Sequence, residues 1–461
     1  MKTKLFGLIA AVSMLTVVML PSGTSAHSRY IWHIPGTHPV IFVHGGSGSA
    51  NQFESQAMRF ESNLYPKEYM YALDYDSSLT VDTQQAIFNR LDALIADIKA
   101  KTGADQVDLM GHSFGGLQCF QYIDSSPERA ANVAHYISID SSSTYNIHPD
   151  HAPGGVPSLA LWGDHGTCPG CSLTGMTNIT LTDKTHVQMA TSPESFAEMF
   201  KFFAGFRPLT TDVVPQILGP IEVAGRAVIF PQNVGVAGAS LQIWKVNRNT
   251  GARIGKKPVA TYAIDAIGKF GPVQVQRGQT YEFDIVRAGQ SDHPFYYEPF
   301  IRSDYFLRLN TSPEPGGGVS GYMDRSPNHV NLLISRSMEL WGDQGDENDV
   351  LAVNGTNVIT PTTHPITKLV NAMFLYDKGS DGISHIGVPL QPYHSIGFFT
   401  GEDLYVPGAS PANGTVSIVL TSRTGGGRTQ TINVPNIASS QVRRISVSFN
   451  DYLPPTWWPW P

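Results

Sequence analysis

The residues in this chain best suited to nucleophilic chemistry are Gly111-His112-Ser113-Phe114-Gly115, which follow the apolar run Val107-Asp108-Leu109-Met110 and open an apolar segment at Gly116-Leu117. That order of strand, sharp turn and helix is the context of a nucleophile elbow, in which flanking glycines let strand and helix approach and leave the serine hydroxyl exposed. Ser113 is the candidate nucleophile. In a chain with 44 glycines the short pattern alone says little, so its surroundings carry the reading. Upstream, Val40-Ile41-Phe42-Val43 runs directly into His44-Gly45-Gly46-Ser47-Gly48-Ser49. Such a turn supplies one backbone N–H of an oxyanion hole, and the residue after the nucleophile supplies the other. Those donors are Gly46 and Phe114. A phosphate cradle is the competing use of a glycine-rich loop, but it needs a Lys-Ser/Thr pair that does not follow here.

A serine needs a base, and the base needs an orienting acid. Among 15 histidines, His186 stands beyond the last apolar strand of this half and before a closing helix that starts near Pro193, where it can take the Ser113 proton and return it to a departing alcohol. Two aspartates compete as the acid. Asp140 ends the strand 136–139 and Asp164 follows the next one, and both positions lie at the C-terminal edge of a parallel sheet. Position leaves the choice open, since either carboxylate is equally able to accept the Nδ1 hydrogen of His186 or to close a loop.

The elements that must hold these groups are legible in the periodicity. Strand-like runs at 40–43, 69–73, 107–110, 134–139, 158–162 and 177–181 alternate with helical stretches, the signature of an α/β fold. Ile87, Leu91, Leu94, Ile95 and Ile98 mark one amphipathic helix ending at Gly103, and Ser192 is placed to cap a last helix over 193–203. After 206–208 helical periodicity fades, and short runs near 240–246, 258–264, 280–286, 329–334, 414–420 and 444–449 between Gly, Pro, Asn and Asp clusters read as all-β, a sandwich or a barrel. The expected organisation is a catalytic domain over 27–208 and a β region over 209–453, one region or two units divided near 309–320. A Pro/Trp-rich tail, 454–461, suits an interface or folds back on its own domain in equal measure.

Composition narrows the class. The 461 residues carry a formal charge of -7 and 41% hydrophobic residues, too long for one ordinary core and lacking the basic clusters of a nucleic-acid binder. Lys2 and Lys4, the apolar run 5–20 and Thr24-Ser25-Ala26 read as a secretory leader cleaved after residue 26, and no later segment is apolar enough to span a bilayer. Export makes a small loop disulfide between Cys168 and Cys171 the expected state of that pair, with Cys119 a buried thiol. His148, His151, Asp164 and His165 are weak metal candidates because Pro149 breaks the helix that would present paired ligands. Asp377 to Gly382 lacks the closing glutamate of a calcium loop, and 343–349 reads as a solvated acidic loop. No metal and no cofactor is expected.

The stretches Val40-Ile41-Phe42-Val43-His44-Gly45, Asn51-Gln52-Phe53-Glu54, Gly111-His112-Ser113-Phe114-Gly115, Ala134-His135-Tyr136-Ile137 and Thr185-His186-Val187-Gln188 resemble those of two-domain, archaeal-type lipases. Thr210-Thr211-Asp212-Val213-Val214-Pro215, Thr421-Ser422-Arg423-Thr424-Gly425-Gly426 and Phe449-Asn450-Asp451-Tyr452 extend the likeness from near Pro39 to Leu453. The resemblance implies a small α/β-hydrolase joined to a β-barrel-like domain that assists lipid binding, and it implies Asp140 as the acid beside Ser113 and His186. Gly46 departs from the family pattern, which has a bulkier apolar residue at that turn. The implied activity is a secreted serine carboxylic-ester hydrolase, a lipase acting on lipid or ester at an interface. An esterase or polyester depolymerase is the neighbouring reading, and a secreted binding protein with an inactive hydrolase fold the reading from another class.

Overall fold

A computed structural model of the protein describes residues 36–141 and 151–456. The expected leader, His148 and the tryptophans of the tail lie outside the described residues.

The first half is a six-stranded, wholly parallel sheet. Its strands are β1 (Val40–Val43), β2 (Met70–Leu73), β3 (Val107–His112), β4 (Val133–Ile139), β5 (Ser158–His165) and β6 (Thr177–Thr185), in the order β2-β1-β3-β4-β5-β6. The central strands β1 and β3 are buried along their whole length because both faces are covered, whereas the edge strand β6 is largely exposed. Side-chain alternation divides β1 between the two layers. Ile41 and Val43 pack with Ile87, Leu91, Ile95 and Ile98 of α2 (Gln84–Thr102), whereas Val40 and Phe42 pack with Phe60 of α1 (Glu54–Ser62) and with Phe196 and Phe200 of α4 (Pro193–Ala204). The helix ends follow their sequence signals: the Thr83 hydroxyl accepts from Ala86 N at 3.2 Å, Gly103 ends α2 at φ 74°, and the Ser192 hydroxyl accepts from Ser195 N at 3.2 Å. Between them, α3 (Phe114–Asp124) leaves the elbow and buries Cys119, Phe120 and Ile123 against the sheet.

The second half is built of three open sheets. A long mixed sheet of eight strands is backed at one end by the sheet containing Lys269–Val275, Ile221–Ile229 and Asp304–Thr311, and at the other by the antiparallel sheet of Thr356–Asn357, Val350–Val353, Thr415–Thr421 and Thr429–Pro435. Two apolar cores fill the spaces, one around Leu241, Phe283 and Leu307, the other around Ile334, Leu351 and Ile418. Of the two forms expected, sandwich and barrel, the layering is that of sandwiches. Near 309–320 the backing sheet changes, yet the long sheet continues: Ile445–Phe449 lies between His293–Tyr297 and Leu332–Arg336, parallel to both. The 343–349 segment departs from expectation at its end, where Asp349 is buried and paired with Arg423 and Arg336. Among the described residues no helix is long and apolar enough to cross a membrane.

The halves are joined by a buried ionic hub. Asp74, just past β2, holds Arg226 of Ile221–Ile229 and Arg308 of Asp304–Thr311, each at 2.7 Å from Oδ2, while Oδ1 accepts Ala50 N at 2.8 Å. Burial alone would push this carboxyl up, but the two guanidinium groups hold it well below the ordinary carboxylate range. Phe306 extends the hydrolase core, its ring edge-on to Phe42 at 5.5 Å. Removing one member of a buried ion network leaves uncompensated charge. Asp74→Ala is therefore expected to lower the unfolding free energy by about 3–5 kcal/mol, read as an earlier urea midpoint.

Candidate active site

Ser113 occupies the turn between β3 and α3 at φ 52°, ψ −124°, a left-handed backbone position that is strained for a serine. The neighbouring glycines explain how the turn fits. A Cβ at Gly111 would lie 2.4 Å from Gly115 O, and one at Gly115 would lie 2.3 Å from His44 O, so only glycine permits the crossing of elbow and oxyanion turn. Phe114 is the first residue of α3, and its N–H belongs to the positive end of the helix. Gly46 stands exposed in the turn after β1. Gly45 N–H is spent on Gln52 Oε1 at 3.1 Å and Ser47 N–H on Ser77 Oγ at 2.7 Å, and neither bond involves the N–H of Gly46.

The structure brings His186 and Asp140 together. His186 Nδ1 is 2.6 Å from Asp140 Oδ2, and both side chains are buried. Asp140 is itself held at φ 41°, with Thr167 N donating to Oδ2 at 2.9 Å and Gly163 N to Oδ1 at 3.3 Å. Burial raises its pKa, but the hydrogen bond and charge of His186, with the Thr167 N–H, bring the net value below the ordinary carboxylate range. Asp164, the other acid left open by position, lies one strand further out. It accepts Lys184 N at 3.2 Å and groups with His165 and Asp183, whose ligand atoms lie within 4.8 Å of one another at the surface. His151 is elsewhere, 3.0 Å from Asp124. Cys168 and Cys171 are disulfide-bonded, with Cα atoms 5.5 Å apart, and Cys119 is a buried thiol.

Two residues quoted only as parts of motifs prove to be structural partners of the site. His112 Nε2 contacts His186 O at 2.8 Å, and Gln52 Nε2 contacts His112 Nδ1 at 2.9 Å. A carbonyl only accepts, so Nε2 carries the hydrogen and Nδ1 accepts from the Gln52 amide. Burial first, then the adjacent His186, holds the His112 pKa down to about 3, which keeps the ring neutral as this arrangement requires. Gly45, Gln52, His112 and His186 thereby form one hydrogen-bonded chain from the turn after β1 through the turn after β3 to the loop that carries His186. A β-region residue fixes the same loop, because Thr185 Oγ1 donates to Glu339 Oε1 at 2.8 Å.

Ser113, His186 and Gly46 line a cavity of about 400 Å³ whose other walls come from the long sheet and its neighbouring loops, including Phe230, Phe295, Tyr297, Phe374 and Phe399. That volume lies within the usual range for an organic ligand, and the walls are mixed, the aromatic rings standing beside many polar and charged groups that include Glu54, Arg308, Arg336 and Arg444. Serine, a buried imidazole–carboxylate pair and backbone donors at one cavity are the parts required for acyl transfer.

Comparison with known proteins matches the chain in three consecutive pieces. Residues 37–124 match the class 2 lipase family, residues 219–314 the lipase C-terminal domain, and residues 318–453 a further C-terminal domain family. Among solved structures, a predicted CIB-like hydrolase from Thermoplasma acidophilum is similar at 14% identity over 38% of this chain and 90% of its own, TM-score 0.30. Lipase B of Aspergillus fumigatus is similar at 15% over 39% of this chain and 57% of its own, TM-score 0.30. The monoacylglycerol lipase of Paleococcus ferrophilus is similar at 11% over 37% and 96%, TM-score 0.28.

The hydrogen-bonded chain yields a test. Gln52→Leu strands Gly45 N–H and His112 Nδ1 and is expected to cost about 2–4 kcal/mol in urea unfolding and roughly tenfold or more in kcat. Gln52→Glu, the same shape, is expected to fail as well, because a carboxylate has no hydrogen to give Nδ1.

Proposed function

We propose that this chain, whose domains place it among the two-domain lipases of the α/β-hydrolase fold, is a secreted serine carboxylic-ester hydrolase that cleaves acylglycerol esters through an acyl-enzyme on Ser113. The observation that carries the reading is the meeting of Ser113, the His186–Asp140 pair and the Gly46 turn at one cavity with aromatic walls. In this mechanism His186 removes the Ser113 hydroxyl proton as Oγ attacks the ester carbonyl. Asp140 keeps the proton on Nδ1 so that Nε2 faces the nucleophile, and it stabilises the imidazolium that forms. The carbonyl oxygen, negative in the tetrahedral intermediate, turns toward the N–H groups of Gly46 and Phe114. His186 then gives its proton to the leaving alcohol, and water repeats the sequence on the acyl-enzyme.

The cavity walls favour long acyl chains over acetyl groups, because each buried methylene contributes about 0.8 kcal/mol when it finds an apolar surface. The β region thus takes the part that an inserted cap plays elsewhere. The leader-like segment before residue 27 supports export, and the interfacial substrate fits a protein that works outside the cell.

Rates on nitrophenyl esters from acetyl to palmitoyl are expected to hold up or rise with chain length, and Ser113→Ala is expected to abolish them, by more than about a thousandfold. Rates confined to acetyl and butyryl would favour a short-chain esterase or a polyester depolymerase, and activity surviving in Ser113→Ala would remove Ser113 as nucleophile. Asp140→Asn, isosteric but unable to hold the tautomer, is expected to lower kcat by about 10³–10⁴-fold, whereas Asp164→Asn is expected to leave it within about threefold because Asp164 makes no contact with His186.

A further inference from the structure

One cavity group has no part in the ester chemistry above. Arg444, only 4% exposed, lines the same cavity. Its terminal nitrogens reach the Ser312 hydroxyl at 3.5 Å, the long limit of a hydrogen bond, and its Nε has no partner among the described residues. The charges around it do not compensate it. Arg443 Nε binds Glu314 at 3.0 Å and Arg287 Nη1 lies 4.0 Å from the same carboxylate, so three guanidinium groups face one anion. Arg287 Nε also lacks a partner among the described residues. His293, bonded to Thr311 and Ser446, adds no charge, since burial and the arginines keep it neutral. Tyr393 donates its hydroxyl hydrogen to Val319 O. Burial first, then Arg287 and Arg443, draws the Arg444 pKa down to about 10 against the opposing pull of Tyr393 and Glu314, which still leaves it a cation at neutral pH.

A buried, under-paired guanidinium at the wall of a cavity is costly unless a ligand pairs it. Its place relative to the ester site follows from one segment. Asn310 Nδ2 binds Ser49 Oγ at 3.2 Å, three residues beyond Gly46, and Ser312 follows two residues later. Both line the cavity. Asn310 and Ser312, two residues apart in extended chain, lie about 7 Å from one another, so the Arg444 end of the cavity is set off from the Gly46 turn along the same wall.

We propose that Arg444 binds an oxyanion carried by the substrate itself, a carboxylate or phosphate several bonds from the scissile ester. The inference rests on the ester-hydrolase reading of the cavity and names a substrate class within it, esters bearing a second, anionic oxygen group. Guanidinium matches such a group with paired donors.

The test compares nitrophenyl hemiesters of adipic and suberic acid with the same compounds capped as neutral ω-methyl esters. In the unaltered protein kcat/KM for the anionic form is expected to exceed the neutral form by roughly ten- to a hundredfold, the scale of a charged hydrogen bond. That ratio is expected to fall to about one in Arg444→Gln and to recover in part in Arg444→Lys, and using the ratio cancels a general loss of activity. Dihexanoyl phosphatidate against dihexanoylglycerol asks the same of a phosphate, and the larger ratio identifies the source of the anion. Calorimetric binding of suberate and of dimethyl suberate to Ser113→Ala reads the preference without turnover or an Arg444 variant. Tighter binding of suberate upholds the anion site even if the hydrolase reading fails. Equal binding of the two diacid forms, a wild-type ratio at or below one, or a ratio unmoved in Arg444→Gln overturns it.

Discussion

Every catalytic arrangement proposed for this protein depends on keeping three separate turns in register, and a chain of uncharged hydrogen bonds does that. Gly45 donates to Gln52, Gln52 to His112, and His112 to the carbonyl of His186. The turn after β1 and the turn after β3 are set side by side by the pairing of those two strands, whereas the loop after β6, three strands further along the sheet, is tied to them through this chain. A neutral histidine suits the task because one ring nitrogen accepts while the other donates along nearly opposite directions. A charged ring would break the chain, and its burial prevents that charge from forming. The same rigidity lets Ser113 and Asp140 occupy left-handed backbone positions that would relax in a looser setting.

The β region completes this site as well as adjoining it. Asp74 gathers Arg226 and Arg308 from two strands, Phe306 enters the hydrolase core, and Glu339 fastens Thr185 next to the base. These contacts are polar where they must be directional and apolar where they fill space. Among the described residues the first half carries no large cap, and the cavity gains its walls in this way. Part of the wall belongs to strands with cores of their own, such as Phe295, Tyr297 and Phe374, and part to the loops beside them, such as Phe230 and Phe398.

Much of this was legible in the sequence, and the boundary of legibility has a physical cause. Strand and helix positions of the first half follow from local periodicity and caps, and residues such as Thr83, Gly103 and Ser192 sit where their own chemistry directs. Ser113 and His186 are marked by their place relative to strands. Asp140 and Asp164 are indistinguishable at that level because each follows one of two adjacent strands. What separates them is the inward turn of Asp140 at φ 41°, with Thr167 and Gly163 as donors, against the outward placement of Asp164 beside Lys184. Gln52 is marked only as a member of a motif and Arg444 not at all, since the significance of both arises from long-range packing. Asp349 shows the reverse: an acidic run looks solvated until Arg336, at the end of one strand, and Arg423, in the turn after another, pair with it and bury it.

The position of Ile445–Phe449 in the middle of the long sheet has a consequence in time. Strands made early, His293–Tyr297 and Leu332–Arg336, meet only through a partner made more than a hundred residues later. Until that partner leaves the ribosome the sheet is two fragments with open edges, and the aromatic residues that wall the cavity have no fixed opposite side. Pairing across such a sequence distance is slow. The two parts of the long sheet, and the aromatic residues they bring to the cavity, therefore come into register only when Ile445–Phe449 pairs with both.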